Sequence, residues 1–411
     1  MSSYSIAISG LLANTTALDV VGNNLANMNT QGFKESNVLF EDAINAARVS
    51  LQVGDGVGST LTNTDFTQGA IQTTNGPLDA AIQGNGFFVV QNSAGDISYT
   101  RDGSFSFNSA GDLVTSAGEL VQGWTAVNGV LNASGATSAI SIPPLTSLPP
   151  SATANMTMTA NLDASSAVGA TFTTPIQVVD SLGNTHTLSV NFTETAANTW
   201  SYKVTIPGQD VSGGILGTPI SMATGSLSFN ASGQLTSPVA GTPVAVATTT
   251  TMTDGAAALN INWNLYDSNS KPLLTQFAET SAASGTTQDG IQPGTATGIT
   301  LENGGALVAN YSNGQQLTIA QVAVAAIANP NTLLATSNND FSLGVNTLTP
   351  SVGAPGTAER GNIVGGALEG SNVDMATQFT NLIVYQRGYE AASKVITTQN
   401  QMDQMLLQIQ P

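Results

Sequence analysis

The two ends of the chain carry apolar side chains in heptad register, and this periodicity limits the possible architecture more than any other feature. Near the start, Tyr4, Leu11, Leu18 and Leu25 recur every seven residues, while Ile8, Val21 and Met28 fill the alternate three- and four-residue steps. At the other end Met375, Leu382, Tyr389 and Ile396 also recur every seven, with Phe379 on the same stripe, before the register moves to Met402, Leu406 and Ile409. Such spacing describes an α-helix with one apolar seam that another helix must cover. Ser371 and Asp374 stand at capping-box spacing before the second helix, and Gly32 offers a stop after the first.

Neither helix is expected to be stable alone. Gly10 and Gly22 each cost about 1 kcal/mol relative to alanine, and Thr15 and Thr16 are weak helix formers. Asp19 is the single charge before Lys34. The seam therefore requires a partner, either the other end of the same chain or neighbouring copies.

Between the ends the pattern is strand and turn. Phe87 to Gln91, Ser104 to Phe107 and Leu188 to Phe192 alternate or run apolar over strand lengths, separated by Gly, Asn and Asp clusters. GSFSFNSAGDL at 103–113 matches GSLSFNASGQL at 225–235 at seven of eleven positions, with a turn between two short strands. ITLENGGAL at 299–307 is a looser echo. Irregular spacing makes this reuse of a hairpin, not a solenoid. The Pro-rich IPPLTSLPPSAT at 142–153 cannot hold continuous regular structure and reads as a linker. The Ser-, Thr- and Gly-rich stretch from Thr280 to Gly298 is placed to return the chain from an inserted domain. The expected plan is mainly β with α-helical coiled-coil termini, nested: helix and Asn-rich turn at 1–34, a connecting segment at 35–70, an inner β domain from 71–147 and 284–363, an inserted outer β domain at 148–283, and a C-terminal helix at 364–411.

Composition removes several functional classes. With 8 basic against 26 acidic side chains the net charge is −18, and basic residues scattered from Lys34 to Lys394 cannot build a phosphate-binding patch. Nucleic acid is not an expected partner. No Cys and one His, His186, preclude a zinc site of the usual Cys/His kind, a disulfide or thiol catalysis. No apolar run reaches the roughly 18 residues of a membrane span, the best being Ile319 to Ala328, half that length and Ala-rich, so no membrane insertion is expected. The first 33 residues contain no Lys or Arg, which removes the charged start of a secretory signal.

Candidate chemistry is thin. Gly54, Gly56 and Gly58, and Gly84 and Gly86, lack the strand-before, helix-after context of a phosphate loop and read as turn glycines. His186 lies six residues after Asp180 in DSLGNTH, but no nucleophile elbow or oxyanion-loop pattern accompanies it, so it reads as a hairpin-flank histidine. The carboxylates offer no reason to choose a glycosidase pair. Trp124, Trp200 and Trp263 fall in strand-like alternation and read as core. No catalytic, cofactor-binding or metal-ligating residue is assigned. The positions singled out are those of the two seams, as subunit-interface residues.

Four stretches carry a family resemblance. LDVVGNNLANMNTQGFK at 18–34 and GALEGSNVDMATQFTNLIVYQRGYEAASKVITTQNQM at 366–402 resemble the terminal motifs of the bacterial flagellar rod and hook axial proteins, and GNGFFVV at 84–90 with YTRDGSFSFNSAGDLVTSAGELVQGW at 99–124 resembles their inner β domain. Rod members lack a large insert, whereas VVDSLGNTHTLSVNFTETAANTWSYKV at 178–204 looks like the outer domain of hook members, and ANYSNGQ at 309–315 fits their return through the inner domain. EAASKV at 390–395 departs from the pattern, where relatives often carry an Asn. The resemblance implies a non-enzymatic structural subunit of the flagellar hook, without cofactor, polymerising with itself into a curved tube that transmits torque. It implies as further partners a distal rod protein, a hook cap protein, hook-filament junction proteins and the flagellar type III export apparatus, which would carry the chain out without cleavage. The alternatives are a distal-rod subunit or, from another class, a secreted β-rich adhesin or glycan-active enzyme.

Overall fold

The computed structural model describes residues 3–44, 54–58, 60–127, 129–142 and 147–409. The fold is mainly β with one helix at each end, α1 (Ser3–Ala26) and α2 (Met375–Ile409). It divides into two units, one formed by 1–145, 298–310 and 316–411, the other by 146–297 and 311–315.

In the first unit the strands Phe87–Gln91, Leu120–Thr125, Gln316–Val322 and Ala306–Tyr311 are hydrogen-bonded neighbours at the centre of a 13-stranded sheet. Their inward residues build one core around Phe88, Val90, Leu113, Val121, Ile140, Leu307 and Val322. A second cluster on Phe87, Val89, Tyr99, Leu333 and Phe341 takes in Phe66, with the rings of Phe66, Phe87 and Phe341 packed edge to face at 5.0–5.9 Å. Two short antiparallel ladders, Ile71–Thr73 with Ala367–Glu369 and Ala80–Gln83 with Asn362–Gly365, draw together the arms that lead from α1 and into α2. The sequence places the C-terminal helix from 364; the backbone spends Asn362–Gly365 and Ala367–Glu369 in these ladders first, and the helix begins at Met375. Its N-cap is consequently Asp374, whose Oδ1 accepts from the Thr377 amide at 2.7 Å, rather than Ser371. At the other end α1 stops at Ala26, before the Asn-rich turn, and Gly32 lies beyond it at φ 68°. The connecting segment at 35–70 is also not plain coil: Ser36–Leu39 pairs with Leu61–Thr64, and Asp42–Ile44 with Gly54–Val57.

The second unit is a sandwich. Thr171–Val179, Thr185–Ala196, Thr199–Ile206, Ile220–Phe229 and Leu235–Ser237 form an antiparallel meander, and a mixed sheet of five strands is built around Asn155–Asp163. Strict alternation, such as Met156, Met158, Ala160 and Leu162 buried on Asn155–Asp163, turns one face of each sheet into a shared core with Trp200 and Trp263 at its centre. The domain boundary expected at 283/284 falls inside the strand Ala282–Gln288, which pairs with Asn155–Asp163. Composition hid this strand, since Ala-Ala-Ser-Gly-Thr-Thr-Gln has no apolar alternation and all seven residues are exposed. Part of the Pro-rich stretch, 143–146, lies outside the described residues; Leu148 and Ser151 bridge to Gly294 and Ile291.

The repeated hairpin has a physical basis. Asn108 and Asn230 each place Oδ1 against the amides two and four residues on, at 2.9–3.0 Å, and Gly111 and Gly233 supply the positive φ that closes the turn. Asn92, Asp180 and Asp267 build the same turn with Gly95, Gly183 and Ser270 in the positive-φ position. Among the described residues the form recurs five times, and only two copies look alike in sequence because only the first and fourth positions are chemically constrained.

Candidate assembly interface

α1 and α2 pack antiparallel. Asn24 Nδ2 donates to Gln378 Oε1 at 3.2 Å, and the Cα of Gly388 faces Asn14 so closely that a Cβ there would stand 2.5 Å from its Oδ1. On α1 the seam is made of mostly small residues, with Ala7, Ala17, Val21 and Asn24 buried; on α2 Gln378 is buried, with Tyr385, Gly388 and Ala392 half-buried along the same line. Small side chains let two helix backbones approach closely. Large apolar residues obscure this stripe in the sequence, although Ala7, Gly10, Asn14, Ala17, Val21 and Asn24 stand at heptad spacing themselves.

Of the residues predicted for the interface, Val21 is the one buried in the helix pair. Ile8, Leu11, Leu18, Leu25, Leu382 and Ile396 lie half-buried on its flanks, and Met28, which the heptads placed on the first helix, lies half-buried in the turn after α1. Tyr4, Met375, Phe379, Tyr389, Met402 and Leu406 are exposed, Phe379 by 50% and Leu406 by 63%. Ile383, Val384, Val395, Met405 and Leu407 are exposed beside them. Counting outward from the Asn14 and Gly388 contact, Tyr4 comes level with Thr398, so the last turns of α2 with Met402, Met405, Leu406 and Leu407 extend beyond the start of α1. An apolar surface of this length is an interaction surface by default.

By length and composition Tyr4–Ala26 is also apolar enough to cross a bilayer, the one such helix among the described residues. Apolar runs do not mark this helix, because Ile, Leu and Val raise its mean hydropathy while Ser, Thr and Asn break the run. Asn14, Thr15 and Thr16 return their polar groups to backbone carbonyls four residues earlier, at 2.7–3.2 Å.

A buried ionic knot fixes the helix pair to the β core. Glu369 accepts from Lys34 Nζ at 2.6 Å through Oε1 and from Arg101 Nη1 at 2.9 Å through Oε2, and the side chains are 0–4% exposed. Oε1 also takes the Gly69 amide, the Glu369 carbonyl takes the Gly32 amide, and Lys34 donates to the Thr67 carbonyl. Arg101 lies 5.2 Å from the Phe87 ring centre and donates to the Gly84 carbonyl. Burial lowers the Lys34 amine below its usual value, opposed by the charge and hydrogen bond of Glu369 and assisted by Arg101. Gly32 is required here, since a Cβ would meet the Arg101 backbone at 2.6 Å. From the knot a hydrogen-bonded line runs to the seam: Asn372 takes the Glu35 amide, Gln378 donates to the Glu35 carboxylate, and Asn24 Oδ1 takes the Ser36 amide. Sequence reading assigned no role to these charges. Yet Lys34, Arg101 and Glu369 each stand inside one of the quoted motifs, and charge is rare in this chain, at 8% of residues.

Comparison with known proteins agrees with this layout. Family matches fall on residues 5–34 (Flagella basal body rod protein), 81–161 (Flagellar hook protein FlgE/F/G D1 domain), 151–291 (Flagellar basal body protein FlaE D2 domain) and 364–409 (Flagellar basal body rod FlgEFG protein C-terminal). The flagellar hook protein FlgE of Treponema pallidum is 33% identical over 98% of this chain and 98% of its own, and that of Escherichia coli is 32% identical over 97% and 98%. The crystal structure of Helicobacter pylori flagellar hook protein FlgE2 matches with a TM-score of 0.53 at 15% identity, over 71% of this chain and 99% of that one, a likeness of fold.

Proposed function

We infer, because this chain belongs to the flagellar hook protein family, that it is a structural subunit of the bacterial flagellar hook and polymerises with itself. The observation that carries this reading, beside the near full-length relationship, is the pair of joined terminal helices whose large apolar residues stay uncovered in the single subunit. The small-residue seam holds α1 to α2 within a subunit; Tyr4, Leu11, Leu18, Leu25, Phe379, Tyr389, Met402 and Leu406 pack between subunits. The match of the inserted unit to the D2 domain model supports the hook reading over the distal-rod one. A role for the inserted unit in the outer wall of a curved, torque-transmitting tube, junctions with distal rod, cap and hook-filament proteins, and uncleaved delivery by the flagellar type III apparatus belong to the same proposal. No reaction is part of it. Negative-stain microscopy of a deletion strain tests it: cells with a rod but no hook, restored by the wild-type chain, are expected, and normal hooks in the deletion strain would contradict it.

A further inference from the structure

Three turns of the inserted unit meet at His186, the one histidine of the chain. Its Nε2 lies 3.0 Å from Asp180 Oδ2 in the 180–184 turn and 3.9 Å from Asp254 Oδ2 in the turn at 252–256, and its Nδ1 lies 3.2 Å from Asp210 Oδ2 at the end of Gly208–Asp210. Carboxylates only accept, so both ring nitrogens act as donors together when the imidazole carries its second proton. Around the ring, Asp180 Oδ1 takes the Leu182 and Asn184 amides, Asn184 Nδ2 donates to Asp254 Oδ2, and Asp254 Oδ1 takes the Ala256 amide. Asp180, Asp210 and Asp254 are the charged groups facing the ring, and among the described residues its contacts are the only ion pairs of this unit.

We propose that His186 is a proton-operated latch that keeps the inserted unit closed while protonated and releases these three turns when the proton leaves. A neutral imidazole donates through one nitrogen. The other then presents a lone pair to a carboxylate inside a largely buried site, an acceptor facing an acceptor. The turns it joins are also pinned to one another, since Thr253 N donates to the Asp210 carbonyl and the Ala257 amide to Ser181 Oγ. Val211, Met252 and Ala256 from the same turns belong to the sandwich core, so release loosens core packing as well as a surface loop. Burial by itself pushes the imidazole down, but the hydrogen bonds and charges of Asp180 and Asp210 outweigh it and hold it above its usual value. The latch therefore contributes in full below about pH 6.5 and is lost as pH rises through the raised value.

The test uses the full-length monomer with a chelator present. Because His186 is the only histidine, its imidazole resonances titrate without assignment. An apparent pKa above about 6.5 is expected. In a Trp124→Phe background, Trp200 and Trp263 report unfolding of this unit. The unfolding constant should rise about tenfold per pH unit from about 6.5 to the measured pKa and flatten beyond it. Asp210→Asn should lower the histidine pKa and so shorten this rise at its upper end, and His186→Gln should remove the rise; if His186→Gln does not fold, the wild-type titration and Asp210→Asn decide. A pKa at or below about 6.5, or an unchanged pH slope in His186→Gln, would overturn the latch. The three atoms Asp180 Oδ2, His186 Nε2 and Asp254 Oδ2 lie within 4.8 Å of one another, a separation suited to a divalent ion. With Zn²⁺ added in place of the chelator, stoichiometric binding that replaces the proton at neutral pH would also overturn it and make the cluster a metal site.

Discussion

At Glu369 one carboxylate answers two buried cations and the Gly69 amide, and the motif ends that flank α1 and α2 meet there. Breaking such a knot from one side is more costly than never having had it, since the remaining charges stay buried without a counter-charge. Glu369→Gln, which keeps the shape and removes the charge, is expected to destabilise the first unit by about 3–5 kcal/mol in urea unfolding of the monomer. A second carboxylate has the opposite setting. Asp340 is pushed up to about 8, by burial first and then by its hydrogen bond and charge with Glu119. The folded chain therefore holds a proton there that the unfolded chain gives up near pH 3.9, so this group makes stability fall as pH rises from about 4 to about 8. Asp340→Asn, an isostere of the protonated acid, should remove that slope and be more stable than wild type at pH 8 in thermal melts. An unchanged slope would assign it to other groups. The five Asx turns belong to this scale too: each needs two positions, which explains why sequence identity exposed only two of them.

Helices and strands were legible to different depths. Heptads at Tyr4–Leu25 and Met375–Ile396 marked both helices because a 3.5-residue period has few other readings. Which face of each helix meets the other was not legible. Within one subunit the contact runs along Ala7, Ala17 and Gly388, whose low hydrophobicity leaves no mark in a pattern of large residues, while Tyr4, Met375, Phe379, Tyr389, Met402 and Leu406 of that pattern are exposed. The long-range anchor was hidden for another reason: Lys34 and Glu369 are 335 residues apart in sequence, and nothing local ties them. The two faces predict different failures. Ala17→Asp sets an unpartnered carboxylate at a fully buried position and should separate α1 from α2 in the monomer, read as faster proteolysis of both ends. Phe379→Asp, at an exposed position, should leave monomer proteolysis unchanged.

For the whole molecule, the two units have separate cores, one centred on Trp200 and Trp263 and the other on Phe88 and Val121. Removing the inserted unit is therefore expected to leave the helix pair and the first sheet folded, provided the excision keeps the strand Ala282–Gln288 with the material removed and spares Ile299–Leu301. Circular dichroism should retain the helical signal, and truncated subunits should still form tubes of altered curvature; loss of the helical signal would show that the first core depends on the insert. The central claim is that the outward apolar residues of the terminal helices hold subunits together. Electron microscopy of purified wild type, Phe379→Asp and Leu406→Asp under polymerising conditions measures this most directly. Tubes from the wild type and folded monomers from both variants are expected; tubes of normal appearance from both would contradict an outward-facing interface.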